Sequence, residues 1–466
     1  MMPVFTMRAT HDPTALLAAG AARSARALAA GQVSAAELCE AAIARIEALD
    51  DTLNAVVVRD FARARRQAAE ADAALARCES RPLLGVPMTV KEAFNVAGLP
   101  TCWGLPPLRD FVPPYDAVAV QRLKAAGAVI LGKTNVPPGL ADWQCDNPVY
   151  GRTVHPLDPR RTPGGSSGGG AVAVATGMVA LELGSDLTGS LRVPASFCGV
   201  YTHKPSEGLL PTRGFAFPGT EEAPSGLPSV IGPIGHCADD LMLALQVLSG
   251  PDAARVAKDC FALPAPRRTA AKDWRVLVIT KHPQAPVAAE VRATVEAASR
   301  RLAKAGAVVA QASDLLPDLA EIGNTYDQIV QTMLAHAEPG GRSSMSLRTW
   351  FDLLATRTRI RSQLRALFTQ FDAVLCPAVG CAAFEHVSEP DFGKRTLTVD
   401  GAKTQYDALG AWAALASLAG LPATVAPAGF TKGGLPLGVQ IVGPYFEDRS
   451  TIALARLMTR TAAPEK

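Results

Sequence analysis

Short apolar runs alternate with amphipathic stretches along this 466-residue chain. The apolar runs at 85–90, 128–132, 178–186, 274–280, 307–313, 372–379 and 435–444 predict strands. Helices are predicted within 34–77, where Ser34 and Glu37 form a capping-box pattern, and at 115–127, 239–250, about 286–305 and 447–460. Because parallel strands need long connections that are usually helical, the alternation predicts an α/β fold with a mixed, largely parallel sheet covered by helices on both faces.

Composition and charge argue against several classes of protein, including nucleic-acid-binding and membrane-binding proteins. The chain is 48% hydrophobic with a net charge of +3, which is too mild to predict a nucleic-acid or membrane partner. The arginine-rich runs 59–67 and 357–368 have helical spacing and predict solvated helix faces. Nine scattered cysteines without a C-x-x-C motif, and no clean apolar leader, predict a soluble, cytoplasmic protein without a zinc framework.

No repeat or long low-complexity linker divides the chain, which predicts a single domain over 1–466. Its parts are amino-terminal helices at 1–80, a core at 81–250 and a carboxy-terminal α/β part at 251–466.

The stretch "RTPGGSSGGGAVAVATG" at 161–177 has several interpretations. A flexible linker is disfavoured because an ordered apolar segment follows directly. A phosphate-binding loop needs lysine and a hydroxyl residue after Gly170, where Ala171 stands instead. A nucleophile elbow needs a preceding strand, and three prolines between 156 and 163 oppose one. The histidines considered as its base are His203, His236, His282, His336 and His386.

Two further segments carry candidate chemistry. Ser190 lies in a glycine-flanked turn within "GSDLTGSLRVPASFCG" at 184–199, where successive backbone N–H groups can converge on an anion. Lys91 follows the strand at 85–90, on the same side as Thr89. A lone lysine is usually solvated, so Lys91 gains meaning only together with the two serine segments.

These segments together resemble the amidase signature family of serine hydrolases. The resemblance rests on "VKE" at 90–92, "RTPGGSSGG" at 161–169, the segment 184–199 and "HKPS" at 203–206, and it covers nearly the whole chain. It implies that 81–250 is the catalytic core and that Ser190 is the nucleophile. Ser166, after a cis peptide bond from Gly165, would bridge Ser190 to Lys91. The implied oxyanion-hole donors are the N–H groups of Leu187, Thr188, Gly189 and Ser190, with Ser167, Asp186 and Arg192 holding the loop.

The resemblance also implies the activity. A Ser190 acyl-enzyme would hydrolyse a carboxylic acid amide to acid and ammonia or amine, with no metal or organic cofactor. Lys91 can act as base only if burial lowers its pKa towards neutrality. We expect a small-molecule amide as substrate and leave a homodimer open. The alternatives are a glutaminase-type subunit of a tRNA-dependent amidotransferase, and a catalytically weak relative that binds amides.

Two positions depart from the family pattern. Thr188 stands where glycine is usual, which costs free energy if the backbone there needs a positive φ. Gly170 replaces a residue that is often serine, a change expected to be minor. The aromatic residues considered for the acyl pocket, although each is more often a packing residue, are Trp103, Trp143, Tyr150, Trp350 and Trp412.

Overall fold

A computed structural model describes residues 12–220, 228–252, 262–337 and 344–460. Its strands are β1 (Val56–Arg59), β2 (Pro87–Lys91), β3 (Val129–Thr134), β4 (Asp146–Asn147), β5 (Gly151–Arg152), β6 (Leu181–Asp186), β7 (Tyr201–Lys204), β8 (Val230–Gly235), β9 (Arg275–Val278), β10 (Val308–Ala310), β11 (Ala373–Pro377), β12 (Thr396–Val399), β13 (Ala402–Gln405), β14 (Ala423–Phe430) and β15 (Pro436–Val442).

The helices of the described ranges include most of those predicted. They are α1 (Pro13–Ala18), α2 (Ala21–Ala29), α3 (Ala35–Leu53), α4 (Phe61–Ala76), α5 (Val118–Ala125), α6 (Gly168–Ala175), α7 (Arg192–Cys198), α8 (Ala238–Leu248), α9 (Ala289–Lys304), α10 (Leu319–Ala337), α11 (Leu347–Gln370), α12 (Ala411–Ser417) and α13 (Asp448–Arg460). The capping box of Ser34 and Glu37 begins α3, as the sequence predicts. Within the described ranges, no helix combines the length and apolar character needed to cross a membrane.

Eleven of the described strands form one mixed sheet in the order β1-β3-β2-β6-β8-β7-β14-β15-β11-β9-β10. The α/β fold class is therefore confirmed, but the sheet is less parallel than predicted. Only the pairings of β2 with β3 and β6, and of β9 with β10 and β11, are parallel among the described strands. The six other neighbouring pairs are antiparallel.

Five of the six antiparallel pairs include a strand that the apolar runs did not reveal, and the sixth joins the two predicted strands β11 and β15. The strands β14 and β15 are joined by the short connection 431–435, which suits a hairpin and cannot hold a crossover helix. The strands β7 and β8 are joined by a loop and also run antiparallel. Short or proline-containing strands of this kind have a weak hydrophobic signal.

The core buries both the sheet and the small-residue helix α6. Every residue of β2 and β6 is buried, and α6 packs on both strands.

The prediction that the arginine-rich run at 357–368 is wholly solvated is wrong at one position. Arg357 is buried, and its guanidinium binds Glu207 and donates to the carbonyl of Leu418 at 2.7 Å. A charged residue can be buried when its donors are satisfied in this way.

Candidate active site

The side chain of Lys91, at the end of β2, is completely buried. Its Nζ donates to the hydroxyl oxygens of Ser166 at 2.7 Å, Ser185 at 2.9 Å and Ser167 at 3.0 Å. Burial lowers the pKa of Lys91 from 10.5 to about 7, although nearby acidic groups oppose the shift. A lysine surrounded by hydroxyl groups and holding its proton weakly near neutral pH can accept a proton from one of them.

The glycine–serine segment lies directly against this lysine. The peptide bond between Gly165 and Ser166 is cis, as the resemblance implied. The N–H of Ser167 donates to the carbonyl oxygen of Ser190 at 3.1 Å, which ties the two serine motifs together. The thiol of Cys145 donates to the carbonyl oxygen of Ser166 at 3.5 Å. The segment is therefore an ordered and buried part of the site.

A buried ion pair organises the loop that carries Ser190. The guanidinium of Arg192 binds the carboxylate of Asp186 through two hydrogen bonds of 2.7 and 3.0 Å. The same carboxylate accepts from the N–H groups of Gly189 at 2.9 Å and Leu191 at 3.0 Å. Burial opposes ionisation of Asp186, but Arg192 and these donors outweigh it and lower its pKa to about 2. The contacts of Asp186 and Arg192 thus hold the backbone of this loop in place.

The four backbone N–H groups implied as oxyanion-hole donors differ in whether they already make a hydrogen bond. The N–H of Gly189 is directed to Asp186, whereas those of Leu187, Thr188 and Ser190 make no hydrogen bond within the described residues. The positive φ of +97° falls at Gly189, and φ at Thr188 is negative. The expected strain at Thr188 is therefore absent, because the left-handed conformation falls on the glycine.

The hydroxyl of Ser190 does not contact the other two side chains of the implied triad through a hydrogen bond within the described residues. Ser190 is 6% exposed, and no hydrogen bond joins its Oγ to the Oγ of Ser166 within the described part of the chain. The structure therefore brings Lys91 and Ser166 into contact and leaves the contact between the two serines unmade.

Three side chains that were not predicted for the loop bind its carbonyl oxygens. The hydroxyl of Tyr326 donates to the carbonyl oxygen of Leu187 at 2.5 Å, and that of Ser417 donates to the same oxygen at 3.0 Å. The Nε1 of Trp143 donates to the carbonyl oxygen of Thr188 at 3.0 Å. Since the peptide unit is planar, fixing the carbonyl of Leu187 also fixes the direction of the next N–H. No motif marks Tyr326 or Ser417, which lie far along the chain.

Arg192 links the loop to the last part of the chain. Its Nη1 donates to the carbonyl oxygen of Ala413 at 3.0 Å and to the side-chain oxygen of Gln440 at 2.7 Å, and its Nη2 donates to Ser417 Oγ at 2.8 Å. Sequence analysis gave Arg192 a supporting role but did not identify these partners, because none of them stands in a motif.

Comparison with known proteins matches this arrangement to a family. The family model for amidases matches residues 37–339 and 319–452. The chain belongs to the amidase signature family. It is 32% identical to a glutamyl-tRNA(Gln) amidotransferase subunit of Roseiflexus castenholzii, over 92% of this chain and 93% of that protein. It is also 32% identical to the indoleacetamide hydrolase of Bradyrhizobium diazoefficiens, over 94% of this chain and 85% of that protein.

The solved structures agree with this assignment. An inhibitor-bound complex, solved in work on the origins of an s-triazine catabolic enzyme, is similar with a TM-score of 0.80 and 28% identity, covering 95% of this chain and 98% of that one. The amidase signature family hydrolyses amides, and its relatives include both a hydrolase and an amidotransferase component. The chain is therefore an enzyme of the amide-hydrolysing class.

The remaining side chains considered from sequence lie elsewhere in this amidase-signature fold. Of the aromatic candidates, Trp412 is completely buried in the core, and Tyr150 donates to Glu92 at 3.2 Å. Trp103 stacks on Phe215. Among the described side chains no histidine hydrogen-bonds Ser166 or Ser190, and the side chain of His336 lies outside the described part. The ring nitrogens of His203, for example, form hydrogen bonds with the side chains of Thr424 and Asp448.

Proposed function

We propose that this enzyme hydrolyses a small carboxylic acid amide through an acyl-enzyme on Ser190, with Lys91 as general base and Ser166 as proton relay. The observation that carries the proposal is the contact of 2.7 Å between Lys91 Nζ and Ser166 Oγ, made by a buried lysine whose pKa is lowered to about 7. A solvated lysine would stay protonated at neutral pH and could not act as a base.

The mechanism begins with neutral Lys91, which accepts a proton from Ser166 as Ser166 takes the proton of Ser190. The Ser190 oxygen then forms a bond to the amide carbonyl carbon, and the developing oxyanion accepts hydrogen bonds from the N–H groups of Leu187, Thr188 and Ser190, which make none within the described residues. The proton returns through Ser166 to the leaving nitrogen, and the carbon–nitrogen bond breaks. Water then hydrolyses the ester by the same relay, which regenerates the Ser190 hydroxyl.

The contact between Ser166 and Ser190 belongs to the substrate-bound state in this proposal. Hydrogen bonds between catalytic groups are often long in the free enzyme and shorten when substrate binds. Ser190 is held close to the glycine–serine segment by the contact of its carbonyl oxygen with the N–H of Ser167.

The test is a hydrolysis panel of aliphatic, aryl and amino-acid amides, combined with labelling by a fluorophosphonate and mass spectrometry of the modified peptide. We expect turnover of at least one amide class and a single label on Ser190. Ser190→Ala removes the attacking oxygen, so it abolishes both turnover and label. Lys91→Ala removes the base and nearly abolishes turnover at neutral pH.

Ser196→Ala is the matched control, because it deletes a buried serine hydroxyl six residues further on that contacts the N–H of Gly438 instead. It should keep turnover and labelling. A label that remains in Ser190→Ala, or full activity of Lys91→Ala at neutral pH, contradicts the proposed mechanism.

A second candidate is a glutaminase-type component of an amidotransferase, favoured by the 32% identity to the glutamyl-tRNA(Gln) amidotransferase chain of Roseiflexus castenholzii. That function predicts that the isolated chain hydrolyses glutamine poorly and needs partner chains. Turnover of small amides by the purified chain alone, as a single species in size-exclusion chromatography, contradicts it. We also propose that the enzyme is cytoplasmic and consists of a single domain. The same size-exclusion chromatography distinguishes a monomer from a homodimer.

A further inference from the structure

Glu182 is a buried acid beside the proposed base that the mechanism does not use. It lies in β6, where it pairs with Thr89 of β2, and its side chain is completely buried. Lys91 lies two residues beyond Thr89 on the same strand, so its side chain is on the same face of the sheet. The Glu182 Oε1 accepts from the hydroxyl of Thr134 at 2.6 Å. Its Oε2 makes no hydrogen bond among the described residues.

Helix α6, which packs on this face of the sheet, has a glycine where it meets the side chain of Glu182. A Cβ atom placed on Gly170, in α6, would lie 2.5 Å from the Cγ and 2.6 Å from the Oε1 of Glu182. Real Cβ atoms essentially never make contacts that short, so a side chain at position 170 would require the Glu182 side chain to move. In this structure Gly170 leaves the space that the Glu182 side chain fills.

Besides Glu182, two ionisable groups act on Lys91, and both keep one charge state across the neutral range. Arg192 keeps the pKa of Asp186 at about 2, so this group stays ionised. Burial raises the pKa of the Cys145 thiol to about 11, so it stays neutral. Helix α6 carries no ionisable residue, and Lys133 of β3 lies 4.0 Å from Glu92 instead.

Glu182 and Lys91 differ from these groups. Burial raises the pKa of Glu182 from 4.5 to about 8, a rise that the Thr134 hydroxyl and Lys91 oppose. An oxygen without a donor, such as Oε2, also fits a protonated carboxyl group better than a buried carboxylate. Both Glu182 and Lys91 therefore change charge near neutral pH, and each affects the other.

We propose that Glu182 is a positioning residue that acts through Lys91: the two side chains form a coupled pair of proton-holding groups on one face of the sheet, and Gly170 makes room for the acid. A single proton is then held either by the amine of Lys91, with Glu182 as carboxylate, or by the carboxyl group of Glu182, with Lys91 as neutral amine. Only the second form has a lysine able to act as base, so this inference rests on the proposed function.

The first experiment measures the acid without using activity. Infrared difference spectroscopy from about pH 6 to about pH 10 should show a protonated-carboxyl band that disappears as pH rises. Glu182→Gln should remove that band. Lys91→Met should move its loss to higher pH, because Lys91 can no longer help to ionise the acid. Lys204→Met is the control, since Lys204 is another buried lysine with a pKa lowered to about 7, whose Nζ donates to the carbonyls of Pro205 and Leu421.

The second experiment uses the acid limb of the kcat/KM profile. In the unsubstituted enzyme the increase of kcat/KM with pH should extend over two ionisations. In Glu182→Gln the increase of kcat/KM should follow a single ionisation and be complete at lower pH. A residue with only a packing role would change the height of the profile and leave its shape unchanged.

The third experiment tests the packing of the pair. Gly170→Ser should lower the melting temperature, and the double variant Gly170→Ser/Glu182→Ala should melt higher than Gly170→Ser alone because the clash is removed. The inference is overturned if no carboxyl band depends on Glu182, or if the band does not respond to Lys91→Met. It is also overturned if the Glu182→Gln limb superimposes on that of the unsubstituted enzyme. An inactive enzyme that still shows the coupled band would contradict the proposed function alone.

Discussion

The hydroxyl of Tyr326 donates a hydrogen bond of 2.5 Å to the carbonyl oxygen of Leu187, across 139 residues of sequence. This contact and the one from Ser417 turn the carbonyl of Leu187 away from the side where the N–H of Thr188 points. Tyr326 thereby positions a proposed oxyanion-hole donor without touching the substrate.

Tyr326→Phe should lower kcat about fivefold and leave KM nearly unchanged, because the loss of one hydrogen bond costs about 1 kcal/mol and the oxyanion exists only in the transition state. The measurement is steady-state kinetics on the best substrate of the panel. Tyr445→Phe deletes a hydroxyl that binds the carbonyl oxygen of Glu207, and it should leave kcat unchanged. A rise in KM alone in Tyr326→Phe would assign the tyrosine to substrate binding.

Lys91→Met should stabilise the fold at neutral and lower pH. The folded-state pKa of Lys91 is about 7 and the ordinary value is 10.5, so between these values the unfolded chain binds more protons. The lysine therefore costs most stability below pH 7, and the cost disappears as pH rises to about 10.5. We expect the difference in unfolding free energy between the two proteins to fall by up to about 5 kcal/mol over this range, at about 1.4 kcal/mol per pKa unit. Urea denaturation at several pH values measures it, and a constant difference would argue against a buried neutral lysine.

Arg192→Met should destabilise the protein by about 3–5 kcal/mol, since it leaves the buried Asp186 carboxylate without its partner. Arg359→Met is the matched control, because Arg359 forms an exposed pair with Glu321 and should change stability by less than about 1 kcal/mol. Denaturant unfolding compares the two. Equal effects would show that the ion pair at the Ser190 loop contributes no more stability than a surface pair.

Thr188→Gly should not increase the rate with small amides. The φ at Thr188 is already negative, so glycine relieves no strain there and adds backbone freedom to the unfolded state, which costs about 0.5–1 kcal/mol of stability. Kinetics on small and bulky acyl amides separate the two roles considered for this threonine. A gain confined to bulky substrates would show that its side chain narrows the acyl pocket, and a gain with small substrates would contradict the backbone argument.

The sequence predicted those parts of the fold whose signal is local. Strands β2, β3 and β6 follow from continuous apolar runs, and α3 follows from a capping box. Strand β8 was missed because Pro233, which opposes strand assignment, lies in its middle opposite Leu183. The direction of β7 and β14 could not be predicted either, because pairing between distant segments leaves no local pattern.

The candidate site divides in the same way. Lys91, Ser166 and Ser190 stand in motifs, so their sequence context identifies them. Glu182 looks like part of an ordinary buried strand, and its meaning appears only when Gly170 is seen opposite it. Tyr326 and Ser417 reach the loop from α10 and α12, and no motif in either helix indicates a hydrogen bond to a carbonyl oxygen.

The contacts of Arg192 with Ala413, Ser417 and Gln440 have a consequence during synthesis. The loop that carries Ser190 is synthesised first, and its anchors follow 221 to 248 residues after Arg192. A nascent or prematurely terminated polypeptide therefore carries every motif of the catalytic centre and still lacks the groups that hold it in shape. Hydrolytic competence should appear abruptly, once residues 413–440 have been synthesised and have packed against the loop.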